Sequence, residues 1–193
     1  QRVQQARATA ATLGDLIIKE FPWAGGTQPV SKDTAELMLN RTWRPTLSIV
    51  GASGLPDVKD AGNVMRPQTT VKVSVRIPPT GDAEAATKKL KSLFEKDPPY
   101  GAKVTFEPEG ASAGWNAPEL APWLHSALDN ASNTHYGAPV GFIGQGGTIP
   151  LMSMLAKGFP KAQMMVCGVL GPKSNAHGPN EFLHVPYGKK LTA

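Results

Sequence analysis

The sequence predicts a small α+β unit, an antiparallel sheet with helices on one face, joined to a second unit of α/β pattern. Three observations carry this expectation. The run Val71-Lys72-Val73-Ser74-Val75-Arg76-Ile77 alternates apolar and polar residues with the two-residue period of a strand. Asp82 then precedes a segment whose apolar residues Ala83, Ala86, Leu90, Leu93 and Phe94 recur at helical spacing. After a linker-like stretch from Pro108 to Asn116, helical and strand patterns alternate along the chain. With 193 residues, the chain suffices for one ordinary domain or pieces of two. The organisation expected is residues 1–112 as the first unit and 113–193 as the second.

Taken in order, Val3 to Glu20 reads as a helix rich in Ala, Leu and Ile, stopped by Phe21-Pro22-Trp23-Ala24-Gly25-Gly26. A short helix follows Ser31, which with Asp33 offers a capping oxygen. Thr46 to Gly51 alternates as a strand, and after the loop Ala52 to Pro67 comes the strand Val71 to Ile77. In that strand Val71, Val73, Val75 and Ile77 share one face, and Lys72, Ser74 and Arg76 the other. The helix Ala83 to Lys96 and a strand Lys103 to Glu107 complete the first unit. The second predicts a helix from Pro118 to Thr134, a strand ending at Phe142-Ile143, a glycine loop and a helix from Ile149 to Ala156. A strand from Ala162 to Val169 follows, with Cys167 in its core, and then a loop from Gly171 to Asn180.

Composition excludes several classes. Apolar residues form 40% and charged residues 18%, with 20 Gly and 18 Pro, which rules out a disordered tail and collagen. The single cysteine rules out a disulfide-stapled scaffold. The longest nearly apolar run, Ala162 to Leu170, is far short of the roughly 20 residues of a membrane helix. A net charge of +5 raises the question of nucleic acid. The densest lysines, Lys88, Lys89, Lys91 and Lys96, line the polar side of one helix with no aromatic strand or zinc-finger spacing beside them, so neither nucleic acid nor membrane is expected as a partner. The sequence opens at Gln1 without an initiator Met or signal-peptide pattern, and a fragment or processed piece is expected.

Chemistry could sit in three places. Gly144-Gln145-Gly146-Gly147-Thr148-Ile149-Pro150 joins a strand to a helix; it is either a plain tight turn or an anion site made of backbone N–H groups at a positive helix end. It lacks the third glycine of a dinucleotide fingerprint and the lysine of a P-loop. His177, between the small residues Ala176 and Gly178 in a loop after an apolar strand, is either a surface histidine or a metal ligand with room for close approach. Arg76 is either solvated or free to pair bidentately with a carboxylate. Asn63 is a weaker candidate, and His125, His135 and His184 carry no assigned role.

The order NRTWRPTLSIVG, GNVMRP, SVRIPPTGD, GQGGTIP and SNAHGPNEF resembles the second half of the di-zinc amidohydrolase family. That family includes carnosinase-type dipeptidases, aminoacylases, succinyl-diaminopimelate desuccinylase and glutamate carboxypeptidase. The stretch from Ser31 through Trp43-Arg44-Pro45 to Gly51 is most similar to the carnosinase branch. The resemblance implies that residues 1–112 are most of a lid that also carries a homodimer interface, and that 113–193 are the returning half of the catalytic domain. It implies that His177 is the last metal ligand and that Arg76 binds the substrate carboxylate. Gly146, Gly147 and Thr148 would line the carboxylate pocket, and Asn63 matches a substrate-contacting Asn of some branches.

The family's His-x-Asp, bridging Asp, adjacent Glu-Glu pair and lid His have no match in this chain. The implied function is that of a C-terminal fragment of a metallohydrolase cleaving an amide bond in dipeptides or N-acyl amino acids. Two zinc ions would be its cofactors, with manganese or cobalt as substitutes, and the fragment would be inactive alone. The alternative is a stand-alone, non-catalytic dimerisation or binding module. The compartment implied is the cytoplasm, against a processed secreted form.

Overall fold

The computed structural model describes residues 1–145, 149–171 and 173–193. Its first helix, α1 (Arg2–Leu13), stops where Gly14 takes a φ of 52° and donates its N–H to Ala10 O at 2.8 Å. A separate turn of helix, α2 (Leu16–Lys19), follows. The single helix expected from Val3 to Glu20 is thus broken, because glycine alone enters the left-handed region without a Cβ penalty. Helix α3 (Thr34–Thr42) begins as its sequence predicts: the Asp33 carboxylate accepts the N–H groups of Ala35 (2.9 Å) and Glu36 (3.2 Å), and Ser31 Oγ accepts that of Asp33 at 3.0 Å. Ala6 and Ala10, one turn apart on α1, pack with Ile17 of α2 and with Met38 and Leu39 of α3 as the buried core.

Two strands pair antiparallel, β1 (Thr46–Ser53) and β2 (Thr70–Arg76). Thr46 faces Arg76, Leu47 faces Val75 and Ile49 faces Val73; beyond a bulge at Val50, Gly51 faces Lys72 and Ala52 faces Val71. The extra residue matters. Ile49 and Ala52 are three positions apart, so a regular strand would send them to opposite faces; the bulge returns both to the face of Val71, Val73 and Val75. This apolar face is open, with Leu47 61%, Ile49 66% and Val71 51% exposed. The core therefore lies among α1, α2 and α3 rather than against the sheet.

Helix α4 (Ala83–Glu95) starts at the expected cap, where the Asp82 carboxylate accepts the Ala85 N–H at 3.0 Å. The strand expected at Lys103–Glu107 has no ladder; the segment is held by side chains instead. Glu95 Oε1 accepts the Phe106 N–H at 2.7 Å, Lys91 donates to Phe106 O at 3.0 Å, and the Phe94 and Phe106 rings stack with centroids 5.9 Å apart. Phe142-Ile143 and Ala162–Val169 likewise form no ladder. An apolar pattern suits a segment to a sheet, but a strand exists only beside a neighbour that supplies its hydrogen bonds, and none lies alongside these segments among the described residues. Cys167 is consequently exposed, not buried in a core as its apolar surroundings suggest.

Helix α5 (Pro122–Tyr136) ends at Gly137, whose φ is 72°, and α6 (Pro150–Gly158) opens on Pro150 in its first turn. The sequence reading did not assign α7 (Val185–Thr192), whose interior Gly188 weakens the pattern. His184 caps α7 by accepting the Tyr187 N–H on Nδ1 at 3.1 Å. Tyr187 lies 5.6 Å from the Tyr136 ring, which ties α7 to α5. The described residues are an α+β fragment, a small antiparallel sheet with helices, and none of its helices is long and apolar enough to cross a membrane.

Candidate functional site

Helices α1 and α3 meet the segment before α5 and the chain that enters the glycine loop. Arg2 donates to Asn116 Oδ1 at 2.7 Å and to Ala117 O, and its guanidinium lies 5.2 Å over the Trp43 ring. Thr9 Oγ1 donates to Phe142 O at 2.6 Å, and a Cβ on Gly144 would stand 3.1 Å from Thr42 Cγ2. Helices α1 and α3 thus buttress the chain that enters the loop. Gly146, Gly147 and Thr148 themselves lie outside the described residues. On the far side of the loop Ile149 stands at the N-cap of α6, without a side-chain cap.

Arg76 ends β2 on the polar face, beside Ser74 and Lys72, and is exposed. Lys72 is engaged by Glu109 at 2.7 Å. Asn63 sits at the centre of a tight turn closed by the Val64 N–H on Gly62 O at 3.0 Å, and is also exposed. His177 lies in the loop before α7. These candidates stand on separate elements.

Among the described residues, the non-glycine positions with positive φ cluster in the loop around His177. Lys173, Asn175, His177 and Asn180 have φ of 68°, 54°, 61° and 59°. Each left-handed non-glycine residue costs on the order of 1 kcal/mol, and such strain persists only where the surroundings over-determine it. Ser174, 2% exposed, is the anchor: its Oγ accepts the Gly171 N–H at 2.8 Å and its carbonyl accepts the Phe182 N–H at 3.2 Å. Glu181 Oε2 accepts the His177 N–H at 2.8 Å, and the Asn175 amide donates to Pro179 O. The space above Gly178 is not free for a ligand as its small size suggests, because a Cβ there would meet the Asn175 amide at 2.8 Å.

An exposed imidazole on a hydrogen-bonded loop with left-handed backbone fits a role as one metal ligand. The remaining ligands are not supplied here: among the described residues no three His, Cys, Asp or Glu side chains converge on a point that could hold a metal ion. Sequence reasoning missed Glu181. Its signal is a carboxylate four residues after the histidine, in a loop whose Asn175 and Asn180 tolerate left-handed geometry. An open apolar cleft of about 230 Å³ lies elsewhere, between α2 and α3, lined by Ile17, Phe21, Trp23 and Met38 among others, and contains none of the candidate residues.

This architecture is similar to parts of several solved peptidases. Human carnosine dipeptidase 1 superposes on it with a TM-score of 0.64 at 21% identity, over 86% of this chain and 36% of its own. The di-peptidase Dug1p from Saccharomyces cerevisiae gives 0.68 at 20% identity, over 92% and 40%. The M20 family metallo-carboxypeptidase Sso-CP2 from Sulfolobus solfataricus gives 0.68 at 18% identity, over 98% and 41%. In sequence, the cysteinylglycine-S-conjugate dipeptidase of Corynebacterium striatum is 30% identical over 149 residues, which are 74% of this chain. No protein-family profile matches the chain. In fold the chain is thus similar to part of these peptidases and in sequence to part of a dipeptidase, and it spans 32% of the length of the curated dipeptidase it matches.

Proposed function

We propose that this chain is a C-terminal portion of a metallohydrolase that cleaves the amide bond of dipeptides or N-acyl amino acids, and that it is inactive alone. The observation that carries the reading is the 30% identity to a dipeptidase across 149 residues. Residues 1–112 act as a lid that pairs two subunits, and 113–193 supply half of a catalytic domain. Arg76, exposed on the polar face of β2, holds the substrate's free carboxylate. Gly146, Gly147 and Thr148 offer backbone N–H groups to the same carboxylate, and Asn63 touches substrate from its exposed turn. His177 gives one ligand to a pair of zinc-class ions whose other ligands come from outside this chain. Such ions, when bound, supply Lewis acidity and a reactive water at neutral pH.

The test compares this chain with a polypeptide spanning the full length of the relatives. The longer protein is expected to bind metal and hydrolyse dipeptides; the 193-residue chain is expected to show no hydrolysis and to retain well under one zinc after dialysis. Two tightly held metals in the short chain would overturn its inactivity. A full-length protein with neither metal nor hydrolysis would favour a stand-alone binding module. Light scattering at several concentrations tests the pairing of the lid, which a monomer throughout would remove.

A further inference from the structure

We propose that Glu181 is a positioning residue for His177: by accepting the His177 backbone N–H, its carboxylate holds that residue in the left-handed conformation and so fixes where the imidazole points. The functional half of this inference rests on the reading of His177 as a metal ligand.

Packing does not hold His177 in place, since the residue is exposed. The neighbouring bonds close the turn around it without engaging it: Gly178 donates to Asn175 O at 2.9 Å, and the Asn175 amide donates to Pro179 O. Among the described residues, His177 itself is engaged by the 2.8 Å bond from its N–H to Glu181 Oε2, a bond to a charged acceptor. The loop delivers the carboxylate to that spot. The buried Ser174 ties its carbonyl to the Phe182 N–H at 3.2 Å, which folds the returning strand of the loop beside the outgoing one and sets Glu181, the preceding residue, opposite His177. A φ of 61° at His177 is unfavourable for an isolated histidine, so the acceptor selects the conformation rather than decorating it. Partners that orient a ligating histidine from one step behind the metal are a general feature of metal sites. Here the step runs through the backbone instead of the ring.

The experiment measures solvent exchange of the His177 amide by NMR in the 193-residue chain, as wild type, Glu181→Ala and Glu181→Gln. Glu181→Ala is expected to speed that exchange about tenfold or more while the Phe182 amide, held by Ser174, stays near its original rate. Glu181→Gln keeps an acceptor oxygen and is expected to restore most of the protection. In the longer polypeptide, zinc affinity should fall about 10–100-fold in Glu181→Ala and much less in Glu181→Gln. An unchanged His177 amide in Glu181→Ala overturns the inference and leaves the ligand reading intact. Retention of full zinc by His177→Ala in the longer polypeptide overturns the ligand reading itself, and the functional half of the inference with it.

Discussion

Glu95 and Phe106 are joined side chain to backbone: the carboxylate accepts the Phe106 N–H at 2.7 Å and, through the same oxygen, the Lys91 ammonium at 2.7 Å. The Glu95 carboxyl is held below its ordinary value of 4.5, first by Lys91 and then by the Phe106 N–H, with burial acting the other way. Because the folded value is depressed, the clamp contributes fully above pH 4.5 and is lost as pH falls through the lower folded value. The Phe106 amide should therefore stay protected from exchange at neutral pH and lose protection only in that acidic window. Glu95→Gln should abolish the pH dependence; a Phe106 amide indifferent to pH in the wild type would contradict the clamp.

Gly54 closes β1 with a φ of 78°, and a Cβ there would collide with the carbonyl of Gln68. Gly54→Ala combines backbone strain with a clash against main chain, and should cost about 1–3 kcal/mol. The readout is the cross-strand contact between Ser53 and Thr70, followed by NMR as urea is raised. An unaltered midpoint would show that the loop yields freely.

Met38 is 3% exposed, whereas Leu47 is 61% exposed. Truncating each to alanine separates the two apolar surfaces of the chain. Met38→Ala should lose about 2–5 kcal/mol, the range for emptying a packed site. Leu47→Ala should lose under about 1 kcal/mol, as exposed positions do. Chemical denaturation of both variants makes the comparison, and equal losses would mean that the sheet face is covered in solution.

Arg76 has no packing role in its exposed position on β2. In the polypeptide spanning the full length of the relatives, Arg76→Ala should weaken substrates bearing a free carboxylate by about 1.5–3 kcal/mol. Stability should barely move. The ratio of kcat/KM for acid and amide forms of one substrate is the measurement, and an unchanged ratio would argue against a carboxylate-binding arginine.

Local signals proved legible and distant ones did not. The caps at Asp33 and Asp82 could be read because a short carboxylate before a periodic segment has one good use, the satisfaction of free N–H groups. Alternation of Val71, Val73 and Val75 announced β2 for the same local reason. Gly14 was read past because glycine within an Ala-rich run is tolerated as often as it terminates. Lys103–Glu107 and Ala162–Val169 carry strand patterns, but pairing depends on a neighbour that a segment's own sequence does not name. Of the candidate site, motif order pointed to the His177 loop. The Glu181 contact and the occupation of the space at Gly178 by Asn175 belong to side-chain geometry that spacing does not encode.

Among the described residues, the buried apolar side chains all lie between Ala6 and Leu39, which bears on cooperativity. Contacts within α1, α2 and α3 open together, because loss of one exposes the rest. The ribbon of β1 and β2 and the terminal helix α7 share no buried residue with that knot and can come apart at a smaller free-energy cost. Heating the chain then traverses more than one transition, so the van't Hoff enthalpy of a melt followed at the sheet falls short of the calorimetric total. Backbone amides of Ala10 and Leu39 set the upper limit of protection, and the rest of the molecule breathes beneath it.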